Sequence, residues 1–263
     1  MNSAIACIGD SCVDHYPALG QRFPGGNPVN FAVFLRRLGA PASFVGAVGS
    51  DEDGAFVRCA LAQKGVDVTH VQTLSGPTPT TQVEMDGTNR VFTAYDAGVM
   101  DRFALRAQDL AFIGTHALAV SAFWGRCEGE LGAIRALGVP VAFDCADLPF
   151  DPVCKTALPN VDIAFFSDDT ASEPAVQEIC RTLAAQGPSI VVAMRGAKGS
   201  MAFDGESFYQ MDAIACKVVD TLGAGDSFIA GFLEATLRGL PIPARMQAGS
   251  ACAAETIGYV GAW

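Results

Sequence analysis

The chain has 263 residues, half of them hydrophobic, with 28 acidic against 17 basic side chains and a formal charge of −11. That length can bury a sizeable core in one large α/β unit or two small ones, and the acidic balance argues against a nucleic-acid or anionic-membrane partner. No apolar run approaches the ~20 residues that cross a bilayer, and Met1-Asn2-Ser3 lacks the basic opening of a secretory signal, so the expected location is the cytoplasm.

The first apolar run, residues 4–8, reads as a strand. It leads into Gly9-Asp10-Ser11-Cys12-Val13-Asp14, where either aspartate can serve as a ligand acceptor or as a turn residue. Residues 12–23 show little helical periodicity. Gly25-Gly26-Asn27-Pro28-Val29-Asn30 then opens a helix over 28–38, whose Phe31, Phe34, Leu35 and Leu38 share one face. Capping accounts for Asn27 and Pro28. It leaves the two glycines and Asn30 unexplained, and their backbone and amide groups suit the hydroxyls of a sugar.

A strand at 43–48 and a helix at 54–64 follow. Thr80-Thr81-Gln82-Val83-Glu84-Met85 and Arg90-Val91-Phe92-Thr93-Ala94-Tyr95 flank Asp86-Gly87-Thr88-Asn89 with roughly alternating polarity, which predicts a hairpin. Together with the earlier aperiodic stretch it should form a small β-sheet lid, from segments at about 12–23 and 79–96. Strands at 118–122, 139–143, 162–166 and 190–194 alternate with helices at 128–137, 173–186, 225–237 and 244–257. Near-continuous apolar strands between amphipathic helices predict an α/β fold with a doubly wound, mostly parallel sheet, in one domain over 1–263. Nine cysteines without a C-x-x-C pair and three scattered histidines point away from a zinc or disulfide framework.

The run richest in chemistry is Asp220-Thr221-Leu222-Gly223-Ala224-Gly225-Asp226-Ser227-Phe228. A helix starting near Gly225 would aim unpaired N–H groups and the positive end of its dipole at the loop, so Gly223, Ala224 and Gly225 can surround an anion. Asp226 is out of place in a site built only for phosphate. A proton-accepting role toward a hydroxyl that attacks the terminal phosphate of ATP explains it. The competing account is a tight turn with an ordinary helix cap. Neither G-x-x-x-x-G-K-[ST] nor G-x-G-x-x-G occurs, which removes the P-loop and Rossmann alternatives.

This nine-residue run closely resembles the second signature of the ribokinase/PfkB family of sugar kinases, and the Gly25-Gly26 segment resembles the first. The resemblance implies a ribokinase-like fold, ATP and Mg²⁺ as cofactors, K⁺ near the backbone of residues 220–222, and Asp226 as catalytic base. It implies that Gly25, Gly26 and Asn30 contact the acceptor sugar, with Asp10 and Asp14 accepting from its hydroxyls. Thr221, Gly196 and Gly199 would border the nucleotide, and Cys252, Ala253 and Thr256 its adenine. Further matches in Ile8-Gly9-Asp10, Cys12-Val13-Asp14, Tyr16-Pro17, residues 89–95, Gly98-Val99-Met100 and Gly261-Ala262-Trp263 are shared with one bacterial branch. They imply phosphorylation at O6 of fructoselysine or a related sugar–amine conjugate. The alternatives are a same-fold kinase for a hexose, a keto-deoxy sugar acid or a nucleoside, and a non-catalytic sugar-binding module.

One segment departs from the family. Its Asn-x-x-Glu is replaced by Ser167-Asp168-Asp169-Thr170-Ala171-Ser172-Glu173, so Asp168, Asp169 and Glu173 are the candidate water-mediated Mg²⁺ ligands, with a solvated acidic loop as the alternative. A sugar–amine acceptor also needs a larger pocket than a hexose. Glu84 could meet its amine, Arg90 its carboxylate, and Tyr95 and Trp124 its alkyl chain; each could instead be a cross-strand pair or core filler. Exposed lid edges predict a homodimer paired lid against lid.

Overall fold

The computed structural model describes residues 3–86 and 89–263, apart from the side chains of Leu19 and of residues 85, 86 and 89–92. Its main sheet contains β1 (Ile5–Gly9), β4 (Ala42–Gly49), β5 (Gln72–Leu74), β8 (Leu118–Ala122), β9 (Val141–Asp144), β10 (Ile163–Ser167), β11 (Ile190–Met194), β12 (Ser200–Phe203) and β13 (Phe208–Met211). The strand order is β13-β12-β11-β10-β9-β8-β1-β4-β5. Pairing is parallel from β5 through β11 and antiparallel at β12 and β13.

Helices cover both faces. Side chains of a strand alternate between faces. Ile5 and Cys7 therefore join a core built from α1 (Asn27–Arg37), α2 (Glu52–Gln63), α7 (Ala224–Leu237) and α8 (Ile242–Thr256). Ala6 and Ile8 join the opposite core, built from α3 (Ala107–Ile113), α4 (Leu131–Ala136), α5 (Pro152–Ala157) and α6 (Glu173–Ala184). Strands buried on both faces read as unbroken apolar runs, which is why the sequence discloses them. Phe165 of β10 and Phe232 of α7 meet edge to face, their ring centroids 5.3 Å apart, and each fully buried ring contributes about 1.5–3 kcal/mol through burial.

Two expectations change here. The helix expected at 128–137 contracts to α4, because Glu130 and the preceding residues form a turn. The sheet also gains the β12–β13 hairpin around Asp204-Gly205, where Asp204 Oδ1 accepts from the amides of Glu206 and Ser207.

A second, four-stranded sheet has the order β3-β2-β6-β7, from β2 (Cys12–Tyr16), β3 (Gln21–Gly25), β6 (Thr80–Asp86) and β7 (Asn89–Asp96). These are the segments expected to form the lid. Its register aligns Phe23, Asp14, Thr81 and Tyr95 in one cross-strand row, so their side chains share a face.

Candidate active site

In a doubly wound sheet, ligands bind beyond the carboxyl ends of the parallel strands. Here Asp10 follows β1, Phe123 to Arg126 follow β8, Asp144 ends β9, Asp168 follows β10 and Arg195 follows β11. Asp226, from the first turn of α7, joins them. Asp10, Asp144 and Asp226 are all buried. Burial pushes Asp226 up to about 6, against the amide donors of Asn30 and Asn27. It pushes Asp144 and Asp10 up to about 7, and the negative charge of Asp226 adds to both. Asp10 Oδ1 has no hydrogen-bond partner among the described residues.

The two readings of the Gly223-to-Ser227 turn separate by side-chain direction. A capping aspartate would fold back onto its own helix, yet α7 has no side-chain cap and Asp226 reaches across to α1. Asn27 Nδ2 donates to its Oδ1 at 2.8 Å, and Asn30 Nδ2 donates to its Oδ2 at 2.7 Å. Gly223, at φ +75°, adopts the left-handed conformation that starts α7. The helical ladder begins with Ser227 N donating to Gly223 O, so the amides of Gly225 and Asp226 precede it. Ala224 N already donates to Thr221 O at 3.3 Å, which leaves it the weaker of the expected anion donors.

On the acceptor side, Gly25 and Gly26 lie against the aspartates rather than in open space. A Cβ on Gly26, whose φ is +107°, would sit 2.8 Å from Asp10 O, and one on Gly25 would sit 2.5 Å from Asp14 Oδ2. Only glycine lets β3 pass this close to both carboxylates. Asn27 is the first residue of α1, not its cap; Gly26 holds the cap position. Asn30 is fixed from a second direction, because Trp263 Nε1 donates to its Oδ1 at 2.7 Å. That bond sets the amide orientation and presents the NH₂ group to Asp226. A small cleft between Asp14, Phe23, Pro24, Asn30, Leu222 and Trp263 opens beside these groups. A cavity of about 300 Å³, lined by Arg36, Ser43, Asp67 and His116, lies at the opposite ends of β1 and β4, away from the carboxylates.

Tyr95 and Trp124 are 50% and 55% exposed, so neither fills the core. Glu84 is exposed on β6. The Arg90 side chain lies outside the described residues. Sequence reasoning missed Asp144, Trp263 and the role of Asn27. The first is a lone acid at the end of an apolar strand, a signal that was available.

On the nucleotide side, Gly225 lies near Met194 of β11, which brings α7's N-terminus to that strand end. Thr221 is exposed. Gly196, at φ +54°, faces Asp169, whereas Gly199 is required by packing, since a Cβ there would meet Met211 O at 2.0 Å. Cys252 lies over Gly231 of α7, Ala253 is partly buried on the same helix pair, and Thr256 is buried. The structure does not gather the expected metal trio. Asp168 Oδ1 accepts from Thr170 and Ala171 within its own turn, and Glu173 accepts from Gln210 of β13. Among the described residues no three metal-binding side chains converge, so this segment does not fit a protein-built Mg²⁺ cage.

A ribokinase-like sheet whose strand ends meet an uncapped helix N-terminus and a buried carboxylate defines the class, a kinase acting on a small molecule. Comparison with known proteins agrees. Residues 4–263 match the model of the pfkB family of carbohydrate kinases, and the chain belongs to that family. It is an ATP-dependent sugar kinase. It is similar to the fructoselysine 6-kinase of Escherichia coli (strain K12), 41% identical over 263 residues that cover 98% of this chain and 99% of that one. It is also similar to the fructosamine kinase FrlD of Bacillus subtilis (strain 168), 33% identical over 98% of this chain and 92% of the relative. The structure of Arabidopsis thaliana ribokinase complexed with ribose and ATP has the same fold, with a TM-score of 0.91 at 23% identity, over 99% of this chain and 94% of that one.

Proposed function

We propose that the protein transfers the γ-phosphoryl group of ATP to O6 of fructoselysine or a closely related fructosamine, with residues 1–263 working as one kinase unit. The observation that carries this reading is Asp226, buried, and reaching from the start of an uncapped helix to Asn27 and Asn30 in the first turn of α1, directly after the Gly25-Gly26 segment. The acceptor hydroxyls bind between Asp10, whose Oδ1 is unpaired, and Asp14. Asp226 takes the proton of the attacking primary hydroxyl, while the amides at Gly223 to Gly225 stabilise charge on the transferring group. Ionised Asp226 is the active form, so kcat/KM should fall as pH drops through about 6.

The nucleotide occupies the side of Thr221 and Gly196, with its base toward Cys252, Ala253 and Thr256. Val219, exposed and tied through its amide to Ile257 O, gives that base an apolar neighbour. Mg²⁺ travels with the ATP phosphates, which need only one or two protein carboxylates. K⁺ near residues 220–222 is read by comparing turnover in potassium and tetramethylammonium buffers. The outer edges of β3 and β7 support pairing between two copies, and light scattering should then give about twice 27.4 kDa.

An acceptor panel tests the substrate. Fructoselysine should exceed fructose and adenosine in kcat/KM, and phosphorus NMR should place the product phosphate on O6. Either competitor outperforming it tenfold, about 1.4 kcal/mol, overturns the assignment.

A further inference from the structure

The loop after β8 delivers an arginine to the mouth of the acceptor site. Phe123 to Gly125 form a single 3₁₀ turn, and Arg126 follows at φ 53°, ψ 33°, the left-handed conformation that an arginine rarely adopts. The turn cannot drift, because Gly125 lies against the end of β1: a Cβ on Gly9 would meet Gly125 Cα at 2.6 Å. Asp10 follows Gly9 directly, so the loop holds Arg126 within electrostatic reach of Asp10.

Arg126 Nη1 pairs with Asp101 Oδ1 at 2.7 Å, and both side chains remain substantially exposed, 45% and 61%. Such a pair adds little to stability, while a left-handed non-glycine residue strains the backbone. Folding therefore does not account for it. Tyr95 stands nearby; burial pushes its hydroxyl up to about 12, and the charges of Arg126 and Asp101 both reach it. The Trp124 ring, held edge to face on Phe123 at 4.7 Å, is the exposed aromatic of the same loop.

We infer that Arg126 and Asp101, flanked by Tyr95 and Trp124, form the binding site for a zwitterionic α-amino-acid group at the far end of the acceptor. The guanidinium takes the carboxylate and Asp101 takes the ammonium, so the resting ion pair is exchanged for two pairs with the ligand. The aromatic rings flank the alkyl stem between this end and the sugar. A carboxylate approaching Asp10, Asp14, Asp144 and Asp226 needs a local cation, and among the described residues the charge of Arg126 reaches Asp10. This inference rests on a fructosamine being the acceptor.

The test compares kcat/KM for fructoselysine and for fructosyl-pentylamine, which keeps the sugar, the amine and the stem but lacks the amino-acid group. Wild type should favour fructoselysine by tenfold or more. Arg126→Asn, a residue that tolerates the left-handed backbone, and Asp101→Asn should each cut that ratio at least fivefold through a raised KM for fructoselysine. An unchanged ratio in both variants, or equal losses on both acceptors, overturns the inference while leaving the sugar–amine substrate in place. If wild type phosphorylates neither acceptor but does phosphorylate another sugar, the substrate reading fails and the inference falls with it.

Discussion

Two sets of buried carboxylates in this molecule behave in opposite ways. Asp109, at the start of α3, is 0% exposed, and burial pushes its pKa up; yet Arg106, His70 and the Arg106 amide outweigh that and hold it at about 2. Gln72 donates to it as well. Asp10, Asp144 and Asp226 lie deeper, no cation among the described residues bonds to them, and they stay raised, at about 6 to 7. Burial alone is therefore not informative. A fully compensated carboxylate fastens the fold, whereas a cluster left undercompensated at strand ends is poised to take protons and ligand hydroxyls.

The sharpest way to break that contrast is to neutralise one member of each set. Asp109→Ala should destabilise the protein by about 2–4 kcal/mol, since it strands Arg106, His70 and Gln72, while the folded fraction keeps its kcat. Asp10→Asn should do the reverse, losing turnover but gaining a few degrees in Tm at pH 8. The sign follows from linkage. The folded pKa of Asp10, about 7, lies above the unfolded value, so its favourable contribution is complete at low pH and is lost as pH rises through about 7. The stabilisation by Asp10→Asn should therefore grow between pH 5 and 8, as thermal melts across that range would read. A Tm that falls at pH 8 would erase the distinction.

Smaller effects sharpen it. Trp263→Phe removes the donor to Asn30 Oδ1 and lets that amide turn its oxygen toward Asp226. We expect kcat about tenfold lower and the acid limb of the pH profile moved upward; a drop in kcat without that shift would make Trp263 merely structural. Asp144→Asn should leave the same limb nearly in place, because Asp144, pushed up to about 7, is still mostly protonated where Asp226 titrates at about 6; a large shift of the limb would mean that Asp144 is charged there.

The parallel strands were legible because burial on both faces leaves continuous apolar runs, and α7 because its stripe follows a glycine loop. Short elements were not. α3 and α5 have seven and six residues, too few to show a helical period, and β12 and β13 took their place through the Asp204-Gly205 turn rather than through hydrophobic pattern. At the site, Asp226 and the glycines stood out through local spacing. Asn27 misled, since an asparagine before a proline has a sufficient local explanation as a cap, while its partner lies 199 residues away. Trp263 and Arg126 were invisible for the same reason. Their roles depend on which strand ends the topology brings together, and no local pattern carries that.

If Asp226 deprotonates the acceptor hydroxyl, its loss shows first in the single-turnover rate of phosphoryl transfer by Asp226→Asn at saturating sugar and ATP. That rate should fall about a thousandfold or more, with both ligands still bound within a few-fold of wild type; a rate within tenfold of wild type would rule Asp226 out as the base.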